Sequence, residues 1–216
     1  MTVGRGSDPY LDKNGVLINK LGIRDADTLR KTEYAMVNSA QVRMMKNPVR
    51  GNFDLAHLQG VHKALFGKVY AWAGKIRTVD ISKGYSQFAF QQFIVPSGNK
   101  LFTQLGEENH LKGLKEGAFA ERAAHYLGEI NTLHPFREGN GRSQRVFMSQ
   151  LAHQAGYSLS WKHVSQEKMI ESSVASHMNF DNSKFTDIIR AGLGEKTQYP
   201  GWQHDRSLDL DRELEK

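Results

Sequence analysis

Along most of the chain, apolar residues recur at three- and four-residue intervals, the period of helices with one buried face. Leu29, Tyr34, Ala35, Val37 and Val42 mark a first helix, which Asp25 or Asp27 can cap and which Asn47-Pro48 ends near Lys46. Asp54 can cap a second, with Leu55, Leu58, Val61, Leu65 and Phe66 at helical spacing and Gly67 at its close. The strongest helical period covers 118–133, through Phe119, Ala123, Ala124, Leu127 and Ile130. Another follows over 142–155, with Val146, Phe147, Leu151 and Ala152 inward and Gly156 beyond its end. Further helices are predicted over 165–177, over 183–192, and from Pro96-Ser97 to about Leu114. Between residues 76 and 95 the pattern changes. The stretches 76–81 and 88–95 have strand composition, and Ser82-Lys83-Gly84-Tyr85 between them is turn-like, so the segment reads as a β-hairpin. Residues 1–22, punctuated by Gly and Asp, read as an extended lead-in that packs onto the body. The expected fold is mainly α: a helical bundle of six or seven helices with one hairpin. It forms a single domain over 1–195, with its catalytic core at about 50–192, followed by a polar tail over 196–216.

Composition narrows the chemistry. A chain of 216 residues is long enough to bury a core without staples, and it contains no cysteine. Disulfide scaffolds, thiolate-bound zinc, iron–sulfur clusters and thiol nucleophiles are therefore excluded, and a reducing compartment fits. No apolar run approaches the ~18 residues of a membrane span, and Met1–Asp8 lacks the apolar stretch of a signal peptide. The expected location is the cytoplasm. The formal charge of +6 invites a nucleic-acid reading, but it is unevenly placed. Residues 1–100 hold 15 Lys and Arg against 7 Asp and Glu, whereas 101–216 hold 14 against 16. The basic excess is scattered in ones and twos, as on solvated helix faces, and no nucleic-acid motif accompanies it.

One segment carries a chemical pattern: His134-Pro-Phe-Arg-Glu-Gly-Asn-Gly-Arg-Ser-Gln-Arg145, between the two clearest helices. Pro135 disfavours helical geometry at His134, so the preceding helix must end there and present the imidazole at the loop mouth. Gly139, Asn140 and Gly141 all tolerate positive φ and directly precede a helix N-terminus, where backbone N–H groups and the helix dipole favour an anion. Arg142 and Arg145, three apart, share a helix face beside that spot and can clamp further phosphate oxygens. Glu138 at the loop's edge suits a Mg²⁺ ion held between phosphates, though alone it could simply pair with Arg142. His134 is placed to take a proton from an attacking hydroxyl, a task suited to a pKa near neutrality. Together these residues point to phosphoryl or nucleotidyl transfer. A Walker A loop and the protein-kinase elements are both missing.

The segment resembles the HxFx(D/E)GNGRxxR signature of the Fic (filamentation induced by cAMP) family without a departure. Asp54-Leu-Ala-His-Leu and Val69-Tyr-Ala-Trp-Ala-Gly-Lys-Ile-Arg77 look like the stretches that precede the family's flap. The resemblance implies the Fic fold, with the β-hairpin as a flap beside the active-site loop, and an AMP transferase acting from ATP onto a Tyr, Thr or Ser hydroxyl of a protein. It implies His134 as general base and Glu138 as the Mg²⁺ ligand. Gly139, Asn140, Gly141 and Arg142 would hold phosphates, and Arg145 the γ-phosphate. At the flap, Lys83, Gly84, Ser86, Gln87 and Phe88 become candidate contacts to ATP or to a target segment paired along the strand.

Many members are restrained by a helix carrying (S/T)xxxE(G/N). In this chain Glu108, Glu116 and Glu138 are followed by Gly or Asn, but Gln104, Lys112 and His134 stand four residues earlier. The expectation is an inhibitor in trans, a small antitoxin bound near Arg145. The compact form is most like a bacterial FicT toxin of a toxin–antitoxin module, which implies DNA gyrase and topoisomerase IV ATPase subunits as targets. The alternatives are a secreted effector domain modifying host proteins such as small GTPases, and a Fic enzyme using another phosphate-containing donor. Direct contact with nucleic acid or membrane is not expected.

Overall fold

The Asp25 side chain accepts the Thr28 N–H at 2.8 Å and starts α1, Ala26–Lys46, which stops before Pro48. Asp54 does the same for α2, Leu55–Phe66, through the His57 N–H. The computed structural model describes residues 2–3, 8–84 and 86–194, so the tail read over 196–216 lies outside the described residues. After α2 come the short strands β2, Ile81–Lys83, and β3, Ser86–Gln87, joined antiparallel, with β1, Thr2–Val3, on the other edge of β2. Then follow α3, Gln91–Glu107; a single 3₁₀ turn, Asn109–Leu111; α4, Glu116–Leu133; and α5, Asn140–Gln154. The order ends with β4, Ser158–Leu159; α6, Gln166–Asn179; α7, Ser183–Gly192; and β5, Leu193–Gly194, which pairs with β4.

Helix α4 is the axis of the bundle and packs against α3, α5, α6 and α7. Its small and large apolar residues are buried around most of its circumference, including Phe119, Ala120, Ala123, Ala124, Leu127 and Ile130. A second apolar cluster joins α1, α2 and the segment after α2 through Leu29, Val37, Leu65, Phe66 and Tyr70. The lead-in reaches this cluster through Val16 and is tied down by a hydrogen bond and an ion pair. Lys20 Nζ donates to the Gly67 carbonyl, and Asp8 pairs with Arg137 at 2.6 Å in a buried position.

The region 76–114 departs from the sequence expectation. In this hairpin strand pairing is confined to 81–87, because residues 76–80 run as irregular chain with a bend at Thr78-Val79 over the end of α4. The apolar run 88–95 is not a strand: α3 begins at Gln91, with Pro96 inside it. Ile94, Gly98, Leu101, Phe102 and Leu105 hold the helical period against the core, whereas the residues that mimic a strand, Phe93 and Val95, face outward. Its start is set by the Asp80 carboxylate, which accepts the Gln91 N–H at 2.7 Å from eleven residues away. Pro96 lies on an exposed face, where the carbonyl it leaves without a helix donor can meet water. The helix stops at Glu107 rather than Leu114, and Glu108 turns aside to Arg122 and Tyr126.

Candidate active site

Helix α4 ends in a left-handed residue: His134 has φ 42°, ψ 60°. Pro135 keeps it from continuing the helix but would by itself favour an extended residue there, so the left-handed turn is imposed by the surrounding loop. Its Nδ1 lies 3.1 Å from the Asn131 carbonyl. A carbonyl only accepts, so Nδ1 carries the hydrogen and Nε2 keeps a lone pair for an incoming proton. Phe88 stacks on the imidazole at 3.7 Å between centroids and 16° between planes. Burial pushes His134 down to about 3, with the charges of Arg77, Lys83 and His177 acting in the same direction. The imidazole is thus neutral at pH 7, as a base must be. Its proton affinity, however, lies well below the near-neutral value expected from the sequence, because the sequence did not show how deeply the packed neighbourhood, the stacked Phe88 included, buries the ring.

The loop after His134 is closed by the Asn140 side chain. Its Oδ1 accepts the Phe136 N–H at 2.9 Å and its Nδ2 donates to the Phe136 carbonyl at 2.7 Å. Asn140 therefore shapes the loop rather than pointing its amide at a ligand. Gly139 alone of the three small residues has positive φ, 79°, whereas Asn140 and Gly141 already belong to α5. A Cβ on Gly139 would lie 2.4 Å from Phe66, so both conformation and space demand glycine. The first helical bond of α5 is made by the Ser143 N–H to the Gly139 carbonyl. The backbone N–H groups at the start of α5 thus sit at the positive end of the helix, where an anion is favoured. Glu138 uses one oxygen to accept the Gly139 N–H at 2.9 Å.

These residues line one cleft of about 600 Å³. Its floor holds His134, Glu138, Gly139, Asn140 and Gly141; Arg142 and Arg145 stand to one side, and Lys83, Gly84, Ser86 and Phe88 come from the hairpin. Of the residues singled out from sequence, Gln87 stays off the cleft: it is exposed, and its amide donates to the Ile81 and Phe88 carbonyls. The remaining lining is richer in apolar side chains, from Trp161, Val164 and the α6 residues Met169, Ile170 and Val174, with Ser173 and His177 among them. Trp161 is buried and also borders the cleft. A polar floor with an apolar wall suits a ligand that is highly charged at one end and flat and apolar at the other.

Several supporting residues were not legible as such. Glu33, on α1, pairs with Arg142 at 2.6 Å and accepts the Tyr70 hydroxyl with its other oxygen. Arg142 thereby meets Glu33, rather than only the Glu138 that sequence spacing suggested, and its guanidinium sits 4.7 Å from the Phe66 ring centroid. Glu33 occupies the buried stripe of α1 with Leu29, Val37 and Ala40, and a carboxylate at that period was the available signal. His62 accepts the Gly74 N–H on Nδ1 at 2.8 Å, so its Nε2 donates to the Glu138 carbonyl at 2.9 Å. Stacked between Phe66 and Phe136, it is driven down to about 4 by burial and holds the loop as a neutral hub. Among the described residues, no group of three His, Asp or Glu side chains is arranged to hold a metal ion. A cation in this cleft would rest on Glu138 together with oxygens of a bound ligand.

The Fic/DOC family pattern matches residues 52–152. The chain is 42% identical over 192 residues to the protein adenylyltransferase VbhT of Bartonella schoenbuchensis, covering 88% of this chain and 40% of VbhT. It is also 40% identical over 194 residues to the probable protein adenylyltransferase Fic of Salmonella typhimurium, covering 89% of this chain and 95% of that protein. The chain thus spans less than half the length of VbhT but nearly all of the Salmonella protein. Among solved structures, BepC of Bartonella tribocorum, a VirB-translocated effector crystallised with AMPPNP, superposes with a TM-score of 0.81 at 29% identity. That superposition covers 87% of this chain and 97% of BepC.

Proposed function

The chain belongs to the Fic/DOC family, and we propose that it transfers AMP from ATP to a hydroxyl side chain of a target protein, releasing pyrophosphate. The observation that carries this reading is the tautomer of His134: Nδ1–H is held by Asn131, and Nε2 is open to a proton beside a helix N-terminus and two arginines. Nε2 takes the hydroxyl proton as the target oxygen attacks the α-phosphorus. The N–H groups at the start of α5 receive the α- and β-phosphates, and Arg142 and Arg145 bind the remaining charge. Glu138 fits a Mg²⁺ ion as a single carboxylate ligand, the usual arrangement when phosphates complete the shell; the ion would neutralise the triphosphate. A bound triphosphate brings its own negative charge next to His134. That charge favours the imidazolium and raises the base towards a useful affinity at the moment of reaction.

The target reading extends from the same resemblance: ATPase subunits of DNA gyrase and topoisomerase IV in a bacterial cytoplasm, with activity held in check by a small antitoxin bound near Arg145. No helix of the described residues is long and apolar enough to cross a membrane. The likeness to translocated Bep proteins supports a second reading, an effector domain acting on host proteins. The test is incubation with Mg²⁺ and α-labelled ATP in the presence of purified gyrase and topoisomerase IV ATPase subunits, wild type beside His134→Ala. Label on those subunits, lost with His134→Ala, is the expected result. Label that follows the γ-phosphate instead would replace AMP transfer by phosphoryl transfer.

A further inference from the structure

Arg77 contributes to no wall of the cleft, yet its side chain is fully buried against the two segments that build it. Its Nε donates to the His134 carbonyl at 2.8 Å, and Nη2 reaches the Leu133 carbonyl at 3.3 Å. Nη1 donates to the Val79 carbonyl at 2.6 Å, and Nη2 also donates to the Ala89 carbonyl. The backbone N–H of Arg77 takes the Pro135 carbonyl at 2.9 Å. One residue thus joins the end of α4 and the turn bearing His134 to the chain entering the hairpin and the chain leaving it. Asp80, 3.9 Å from Nη1, closes the same base by accepting the Gln91 N–H.

A buried guanidinium is a costly way to fill space, and its nearest carboxylate is at the edge of ion-pair range. What it supplies that an apolar side chain cannot is a planar fork of donors with fixed angles, aimed here at four carbonyls. It also places a cation at the C-terminal end of α4, where the helix dipole favours one. The hairpin is short, and both of its ends are fastened to the residue that would take the proton. Between them stands Phe88, whose ring position over His134 depends on where the Ala89 carbonyl is held.

We infer that Arg77 is a positioning residue: it fixes the hairpin's height over His134, so that a protein segment lying along the hairpin presents its hydroxyl to Nε2. The inference rests on the AMP-transfer reading above. It assigns Arg77 to acceptor alignment and not to nucleotide binding.

The test compares Arg77→Lys, which keeps the charge and loses the fork, with Arg77→Gln, which loses both. AMPPNP affinity is measured calorimetrically, and AMP transfer is measured from α-labelled ATP to the gyrase ATPase subunit. Both variants should bind AMPPNP within about twofold of wild type. Their kcat/KM for the protein acceptor should fall about 10- to 100-fold, the usual effect of misplacing a reacting group by an ångström. In Arg77→Gln the acid limb of kcat/KM should also move to higher pH, since a cation facing His134 is gone while Lys83 and His177 remain. In Arg77→Lys the limb should stay in place. Should Arg77→Lys not fold, Asp80→Ala at its half-exposed site loosens the same base and should lower transfer several-fold with unchanged AMPPNP binding. Wild-type transfer in a folded Arg77→Lys or in Asp80→Ala overturns the inference. So does a loss that only matches the fraction unfolded. Failure of the wild-type protein itself to label this acceptor would instead sink the gyrase reading, and the comparison then moves to the lysate protein that wild type labels and His134→Ala does not; no label from α-labelled ATP on any protein would sink the AMP-transfer reading.

Discussion

Acidification should unfold this protein through two neutral histidines before most carboxylates titrate. His134 and His62 are held near 3 and 4 by burial, against 6.5 for an exposed imidazole. The unfolded chain therefore binds protons that the folded chain refuses. Stability from each group is fully present above pH 6.5 and is lost as pH falls towards the folded value. Between pH 7 and 5 the unfolded imidazoles become almost fully protonated while the folded ones stay neutral. At ~1.4 kcal/mol per unit this removes about 2 kcal/mol for each histidine, about 4 in all. His57, pushed down by burial as well, adds to the slope in the same direction. The assay is urea unfolding at pH 7 and pH 5 for wild type and His134→Ala, which removes one of the two titrating groups. The wild type should lose at least about 4 kcal/mol and the variant about 2 kcal/mol less than the wild type. A wild-type loss below ~1 kcal/mol, or identical slopes in the two proteins, would refute the picture of a sealed neutral base.

Other consequences can be checked with single substitutions. Glu33→Ala leaves the Arg142 guanidinium and the Tyr70 hydroxyl without their shared carboxylate in a mostly buried place. Breaking such a pair costs about 3 kcal/mol, which scanning calorimetry should register as a fall in Tm of roughly 6–12 °C. Gly139→Ala forces a side chain into Phe66 at a positive φ and tilts the start of α5, so AMPPNP affinity should drop more than about tenfold by calorimetry. Phe88→Ala admits water to the imidazole, and NMR titration should find His134 moved upward from about 3. Saturation with AMPPNP should move the same resonance upward in the wild-type protein, and a downward movement would contradict the role given to the triphosphate.

Much of the fold was open to inspection in one dimension because helices carry their own period and punctuation. Asp25, Asp54, Pro48, Gly67 and Gly156 mark ends by local chemistry, and the helices they bound lie where the spacing places them. The motif 134–145 is likewise local: a proline that ends one helix, a glycine with positive φ, and the first turn of the next helix lie within twelve residues. Its chemistry could therefore be read from their order alone.

Elsewhere the deciding interactions cross long stretches of chain. The start of α3 depends on Asp80, and its apolar opening residues look like a strand until the core selects Ile94 and exposes Phe93. The proton state of His134 depends on Phe88 and Arg77, and the pose of Arg142 on Glu33 from more than a hundred residues away. The apolar wall of the cleft comes from Trp161 and α6, which carry no motif. Burial and desolvation are properties of a packed neighbourhood rather than of a residue type. Sequence by itself determined every long helix but the bounds of α3, together with the donors and the candidate base. Only the tertiary structure decided which groups are buried, which charges meet, and how firmly the hairpin is held over His134.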